Sequence, residues 1–153
     1  MSADNQQITE AQIAWLAGIF DGEGSIGIYG AHRRNGTCTV FTPRVSITNT
    51  SAKMYDAVCN ILAGLNLPKY THSMGREKPH WKPKWQLIWT GLSRPKKLLT
   101  IISPYLVDKA EEADLALEFI ERREGKQREK YTPRDLELVE LIKNIKSTRH
   151  LRD

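Results

Sequence analysis

The stretch WLAGIFDGEGSIGIYG, Trp15 to Gly30, holds a change of period that decides the fold. Up to Phe20 the apolar residues recur at helical intervals, and after Gly24 they alternate, with Ile26 and Ile28 on one face and Gly27 and Tyr29 on the other, which predicts a helix running directly into a strand. Between them stand two carboxylates, Asp21 and Glu23, and two glycines. A helix over Ile13 to Phe20 ends in unpaired carbonyls that carry a negative partial charge, so acids at that position have the wrong company for stability. Two readings answer the conflict. In one, Asp-Gly-Glu-Gly is a solvated turn in which glycine supplies the positive φ that stops a helix. In the other, a divalent cation sits among the carboxylates and helix-end carbonyls, because hard cations such as Mg²⁺ take oxygen ligands of this type.

The start of the helix is equally legible. Thr9 and Gln12 fit a capping box, and Ile8 and Ile13 fit the hydrophobic staple that accompanies it. Ile13, Leu16, Ala17 and Phe20 form one apolar stripe, yet Ala14, Trp15, Gly18 and Ile19 leave the other side almost as apolar, so the helix is expected to be covered on both sides. Ala14 and Gly18, four apart, are small enough to let a second backbone come close.

Outward from this segment the pattern repeats. The connection AHRRNGT leads to CTVFTPRVSITNT, where Phe41, Val45 and Ile47 alternate with Thr42, Arg44, Ser46 and Thr48, completing a hairpin. Pro43 implies that its donor side is exposed or near a bulge. TSAKMYDAVCNILAGLNLP places Met54, Val58, Ile61, Leu62 and Leu65 at helical spacing. Residues 69 to 74 and 84 to 90 form a second hairpin across the basic loop GREKPHWKPK, with Trp85, Leu87 and Trp89 on one face and Lys84, Gln86, Ile88 and Thr90 on the other. The rest is helical: Ser93 and Pro95 open one segment, Pro104 divides it from a longer one, Gly125 follows as a C-cap, and Thr132 with Pro133 opens the last helix. KQREK, 126 to 130, reads as a solvated linker. The order is helix, hairpin, helix, hairpin and helices, an α+β class with one antiparallel sheet, and 153 residues suit a single domain.

Charge narrows the function. The chain has 23 Lys and Arg against 18 Asp and Glu, a net charge of +5, which favours a polyanionic partner. The basic residues gather on the hairpins, at Arg33, Arg34, Arg44, Lys69, Arg76, Lys78, Lys82 and Lys84, while Glu111, Glu112, Asp114, Glu118 and Glu121 crowd one helix. That polarity suits β-ribbons lying in a DNA major groove, with side chains reading base edges and loops gripping phosphates. Tyr29, Thr42, Arg44, Ser46, Lys69, Thr71, Gln86 and Ile88 make up the candidate reading face, with Arg33, Arg34 and Lys84 as basic neighbours. Two cysteines without close spacing predict neither a zinc site nor a disulfide framework and fit a reduced, intracellular setting. The polar N-terminus and the absence of a long apolar window predict no membrane association.

LAGIFDGEG, Leu16 to Gly24, resembles the nonapeptide that names the LAGLIDADG homing endonucleases, and SIGIYG follows where that family has its first strand. The likeness extends to the order of elements over nearly the whole chain. One copy of the motif points to the single-motif branch, whose members are homodimers that bind pseudo-palindromic duplex DNA, and the second apolar side of the first helix then becomes a subunit seam at Ala14, Gly18 and Asp21. The resemblance implies site-specific, Mg²⁺-dependent phosphodiester hydrolysis, with Mn²⁺ or Ca²⁺ as substitutes and intron RNA as a further partner. It implies metal binding by the Glu23 carboxylate and the Gly22 carbonyl, with Asp21 as a structural acid closing the helix. Glu23 departs from the Asp common in that branch by one methylene. SPYLVDKAEEA resembles the segment carrying a lysine near the cleaved phosphate, which lands on Lys109, and Asn49 and Lys53 correspond to polar residues that order water, completing the implied catalytic set. The rival expectation is a non-cleaving protein of the same fold, a maturase or a DNA-binding regulator.

Overall fold

The structure is a computed structural model, and it describes residues 7–32, 39–67, 72–75 and 78–149. Helix α1 (Glu10–Glu23) leads into strands β1 (Gly24–His32) and β2 (Thr39–Asn49), followed by α2 (Ala52–Gly64), β3 (His72–Gly75), β4 (Lys84–Thr90) and α3 (Ser93–Ile102). A single 3-10 turn (Ser103–Tyr105) precedes α4 (Ala110–Arg123) and α5 (Pro133–Arg149). The four strands form an antiparallel sheet in the order β1-β2-β4-β3.

The start of α1 has the expected capping box: the Gln12 N–H donates to Thr9 Oγ1 at 3.2 Å, and the Thr9 N–H donates to Gln12 Oε1 at 2.8 Å. Its end differs from the turn reading. The helix continues through Gly22 to Glu23, and Gly24 is extended at φ −97°. Among the described residues the positive-φ glycines are Gly91 and Gly125, so neither motif glycine is needed for a left-handed turn. Gly24 is required for space instead: a Cβ there would stand 2.6 Å from the Phe20 carbonyl oxygen and 3.0 Å from Phe20 Cα. The helix turns so sharply into the strand that only a residue without a side chain fits.

Strand alternation sorts the sheet into two faces. Ile26, Ile28, Val45, Ile47, Trp85, Leu87 and Trp89 are buried, and they meet Leu16, Ala17 and Phe20 of α1 and the apolar stripes of α2, α3 and α4 in one core. Phe20 and Trp89 pack with ring centroids 5.7 Å apart. Pro43 sits opposite Ile28, and its carbonyl, pointing towards β4, accepts from Gly91 just past the Arg44–Thr90 pair that ends the β2–β4 ladder. The missing N–H therefore falls where no strand remains to receive it.

The helical half also follows the sequence. Pro104 lies in the 3-10 turn, and Gly125 takes φ +73° directly after α4. Thr132 caps α5 reciprocally, its Oγ1 accepting from the Asp135 N–H at 3.1 Å while its own N–H donates to Asp135 Oδ2 at 2.9 Å. The linker at 126–130 has exposed side chains but is not merely solvated. Arg123, buried under the Tyr131 ring, donates to the carbonyls of Lys126, Glu129 and Lys130 and pairs with Asp135 at 3.3 Å. Among the described residues, no helix is long and apolar enough to cross a membrane.

Candidate nucleic-acid interface and metal site

Helix α1 brings its C-terminal end to the rim of the sheet, and the Gly24–Ile47 pair sets that end beside the end of β2, where Asn49 lies opposite Trp85 of β4. The last four carbonyls of a helix lack intrahelical donors. Two of them are answered here: Gly24 donates to Phe20, and the Lys109 ammonium makes a short hydrogen bond to the Asp21 carbonyl. The carbonyls of Gly22 and Glu23 keep no helix donor, and both residues are exposed. Hard oxygen donors at a negative helix end suit a divalent ion, so Glu23 and Gly22 fit the role expected of them. Among the described residues no three His, Cys, Asp or Glu side chains gather into a metal site, so the fit rests on one carboxylate and one backbone carbonyl.

Asp21 points inward. Its carboxylate accepts from the Val107 N–H at 2.8 Å and the Lys109 N–H at 3.0 Å, stitching the loop before α4 to the end of α1. Its carboxylate is thus occupied within the chain. Lys109, only 8% exposed, lies at the same helix end and also meets Asp108 Oδ2 at 3.6 Å. It places a cation where the helix carbonyls need one, which partly resolves the electrostatic conflict of the motif without a metal. Its ammonium is committed to Asp21 in this state of the chain.

Asn49 Oδ1 accepts from the N–H groups of Thr50 and Ser51 at 2.7 and 2.8 Å, and Ser51 caps α2 through the Met54 N–H. Asn49 thus builds the turn from β2 into α2. Lys53, in the first turn of α2, is exposed.

The polar sheet face is assembled from residues set side by side by the ladders: Ser25, Ser46 and Ile88 form one row, Gly27, Arg44 and Thr90 the next, Tyr29 and Thr42 a third, and Thr48 with Gln86 a fourth. Thr42, Arg44, Ser46, Lys84, Gln86 and Ile88 are all partly accessible. Arg33, Arg34, Lys69, Thr71 and Arg76 fall outside the described residues. Tyr29 is 44% exposed, with Arg44 lying 5.8 Å from its ring centroid. Burial raises the Tyr29 phenol, but hydrogen bonds from Lys146 and Ser25 and the nearby charges of Lys146 and Arg44 outweigh that and hold it below its ordinary value.

Lys146 is the residue that reading the sequence in segments missed. It reaches from α5 to Ser25 Oγ at 2.9 Å and Tyr29 Oη at 2.6 Å, across 121 and 117 positions of chain. One signal was available: Lys143, Lys146 and Arg149 recur every third residue on the last helix, after an acidic first half at Asp135, Glu137 and Glu140.

The outer side of α1 is bare. Ala11, Ala14, Gly18 and Gly22 are exposed, Trp15 is 40% exposed, and a Cβ on Gly18 or Gly22 would meet nothing within 4 Å. Among the described residues, the helix is covered on one side only.

The chain has the fold of the LAGLIDADG homing endonucleases. It superimposes on the homing endonuclease I-CvuI, solved with the I-CreI DNA target in the presence of magnesium with the DNA not cleaved, at a TM-score of 0.65 and 18% identity, covering 89% of this chain and 82% of that one. The archaeal intron-encoded homing endonuclease I-Vdi141I, complexed with DNA, gives the same TM-score at 14% identity over 89% of this chain and 84% of that one. I-TnaI, another homing endonuclease, is covered over 99% of its length with a TM-score of 0.56 and 15% identity. No protein-family model matches the sequence, and no curated protein matches it.

Proposed function

We propose that this protein is a homodimeric, divalent-ion-dependent endonuclease that makes a double-strand break in a pseudo-palindromic DNA target, as in intron homing. The observation that carries the reading is the combination at α1: an exposed Glu23 at a helix end whose last carbonyls lack helix donors, on a helix whose outer face of Ala11, Ala14, Trp15 and Gly18 has no cover among the described residues. Two copies packed on that face bring two Glu23 carboxylates together, and two sites give two cuts.

Glu23 and the Gly22 carbonyl are the chain's ligands for Mg²⁺, with Mn²⁺ or Ca²⁺ able to occupy the same oxygens. A bound ion of this type supplies an acidified water and charge neutralisation at a leaving oxygen. The polar sheet face, from Ser25 to Thr90, lies in the groove and sets the register. Lys109 holds the helix end in place and, by leaving the Asp21 carbonyl, places its ammonium near the phosphoryl group, a donor worth about 3 kcal/mol if aimed at developing charge. Lys53 orders water and phosphate at the rim.

A binding-only reading, as a maturase acting on intron RNA or as a DNA-binding regulator, draws support from Asn49 and Lys109, whose polar groups are both engaged within the chain. Supercoiled DNA carrying the sequence that flanks the reading frame separates the two. The endonuclease linearises it with Mg²⁺ and not with EDTA; a gel shift without cutting under either condition overturns the nuclease in favour of the binder.

A further inference from the structure

The charged end of α5 has no part in the reading above, and its placement gives it one. The helix crosses the edge strand β1 so that its last turns reach the polar face of the sheet. Together they enclose a cleft of about 440 Å³ lined by Gly27, Tyr29 and Phe41 from the sheet and Glu140, Lys143 and Lys146 from the helix. Gly27 makes room for this approach: a Cβ there would stand 3.0 Å from Lys146 Nζ and from the Tyr29 ring. Lys146 also lies 5.0 Å from the centroid of that ring, and Arg44 flanks it. An ammonium has three donors. Two of those on Lys146 go to neutral hydroxyls, and among the described residues neither Lys146 nor Lys143 is ion-paired. Glu140 is the one acid lining the cleft, against two lysines. Arg149, a turn further on, pins the helix by contacting Asp108 and the buried Glu112, whose Oε2 lies 2.5 Å away in a contact that lacks hydrogen-bond geometry. The end of α5 is thereby anchored to the same loop that holds Asp21 and Lys109.

We infer that Lys143 and Lys146 of α5 form a phosphate-gripping extension of the sheet, contacting the backbone of a nucleic-acid duplex that lies across β1. The inference rests on the DNA-binding part of the function proposed above. A cation already oriented by two hydroxyls loses little freedom on meeting a phosphate, and contacts of this kind fix register without reading sequence. The same hydrogen bonds fix the Tyr29 ring, so the backbone grip and the adjacent groove-facing side chain are set together.

Phosphate contacts have a signature in salt. Each one removed lowers the slope of log affinity against log salt by about 0.9. The experiment measures binding of purified full chain to a duplex carrying the flanking sequence, across a fourfold range of salt, for wild type, Lys143→Ala/Lys146→Ala, Lys146→Arg, and Lys126→Ala/Lys130→Ala in the exposed linker, with melting curves for each. The α5 double variant is expected to lose about 1.8 from the slope, so that over this range wild-type affinity falls about 12-fold more than the variant's. Lys146→Arg keeps the wild-type slope, and the linker variant, which removes the same net charge, does likewise. An unchanged slope in the folded α5 variant, or an equal loss in the linker variant, overturns the inference. If wild type itself fails to bind duplex DNA, the proposed function fails with it, a result distinct from the other two.

Discussion

Replacing Asp21 with alanine tests whether the motif's first acid is a closing group. Its carboxylate accepts two backbone N–H groups, from Val107 and Lys109. The two losses differ in size. Val107 is 86% exposed, so its N–H turns to water, whereas Lys109 is buried and its N–H is left without a partner. A hydrogen bond to a charged group contributes about 1.5–3 kcal/mol where water cannot replace it, and the exposed one adds roughly 0.5 kcal/mol. Removing an acid from a negative helix end returns about 0.3–1 kcal/mol. The net loss is about 2 kcal/mol, and a domain of this size shifts by roughly 2–4 °C per kcal/mol, so the melting temperature should drop about 4–8 °C. Asp21→Asn keeps one acceptor oxygen and should lose about half as much. Thermal melting by circular dichroism measures both. An Asp21→Ala protein melting within about 1 °C of wild type refutes the reasoning, because the stitch between α1 and the loop before α4 would then carry no energy.

Gly18→Glu puts a charge on the bare side of α1 where a Cβ meets nothing, so the chain should fold as well as wild type yet sediment as a monomer; an unchanged dimer moves the seam elsewhere. Asp135 supplies a pH dependence. Burial opposes its ionisation, but the Thr132 N–H and the Arg122 guanidinium outweigh that and hold the carboxyl below its ordinary value. A carboxyl depressed by folding adds stability above its unfolded value and loses it as pH falls through the folded one, so the acid limb of stability should steepen below pH 3.8 and flatten in Asp135→Asn, read from urea midpoints. Arg123→Met leaves Asp135 with one fewer cation and frees three linker carbonyls, and breaking such a buried pair should cost about 3–5 kcal/mol in urea unfolding.

Much of this architecture is written locally. The capping box at Thr9, the switch of period at Gly24, the alternation of Trp85, Leu87 and Trp89, and the stop at Gly125 each depend on residues within a few positions of one another, and all stand in the fold. The apolar period marks the helix only as far as Phe20, whereas the helix continues to Glu23. Asp21 is held there by Val107 and Lys109, 86 and 88 residues away, contacts that no local pattern reports. Arg123 binding the KQREK carbonyls and Lys146 reaching Tyr29 are hidden for the same reason: a charged residue on a helix reads as solvated until the chain's path brings a partner to it. The acids that crowd α4 in sequence do not share one environment, because Glu112 is buried against Arg149 and Glu118 pairs with Arg134.

As proposed above, the last carboxylate of α1 holds the ion that cuts DNA. The most direct measurement compares Glu23→Gln with wild type on supercoiled DNA containing the flanking target, with Mg²⁺, scoring linear product and gel shift in parallel. The variant should give an unchanged shift and no linear product. Cleavage at the wild-type rate by Glu23→Gln would contradict it.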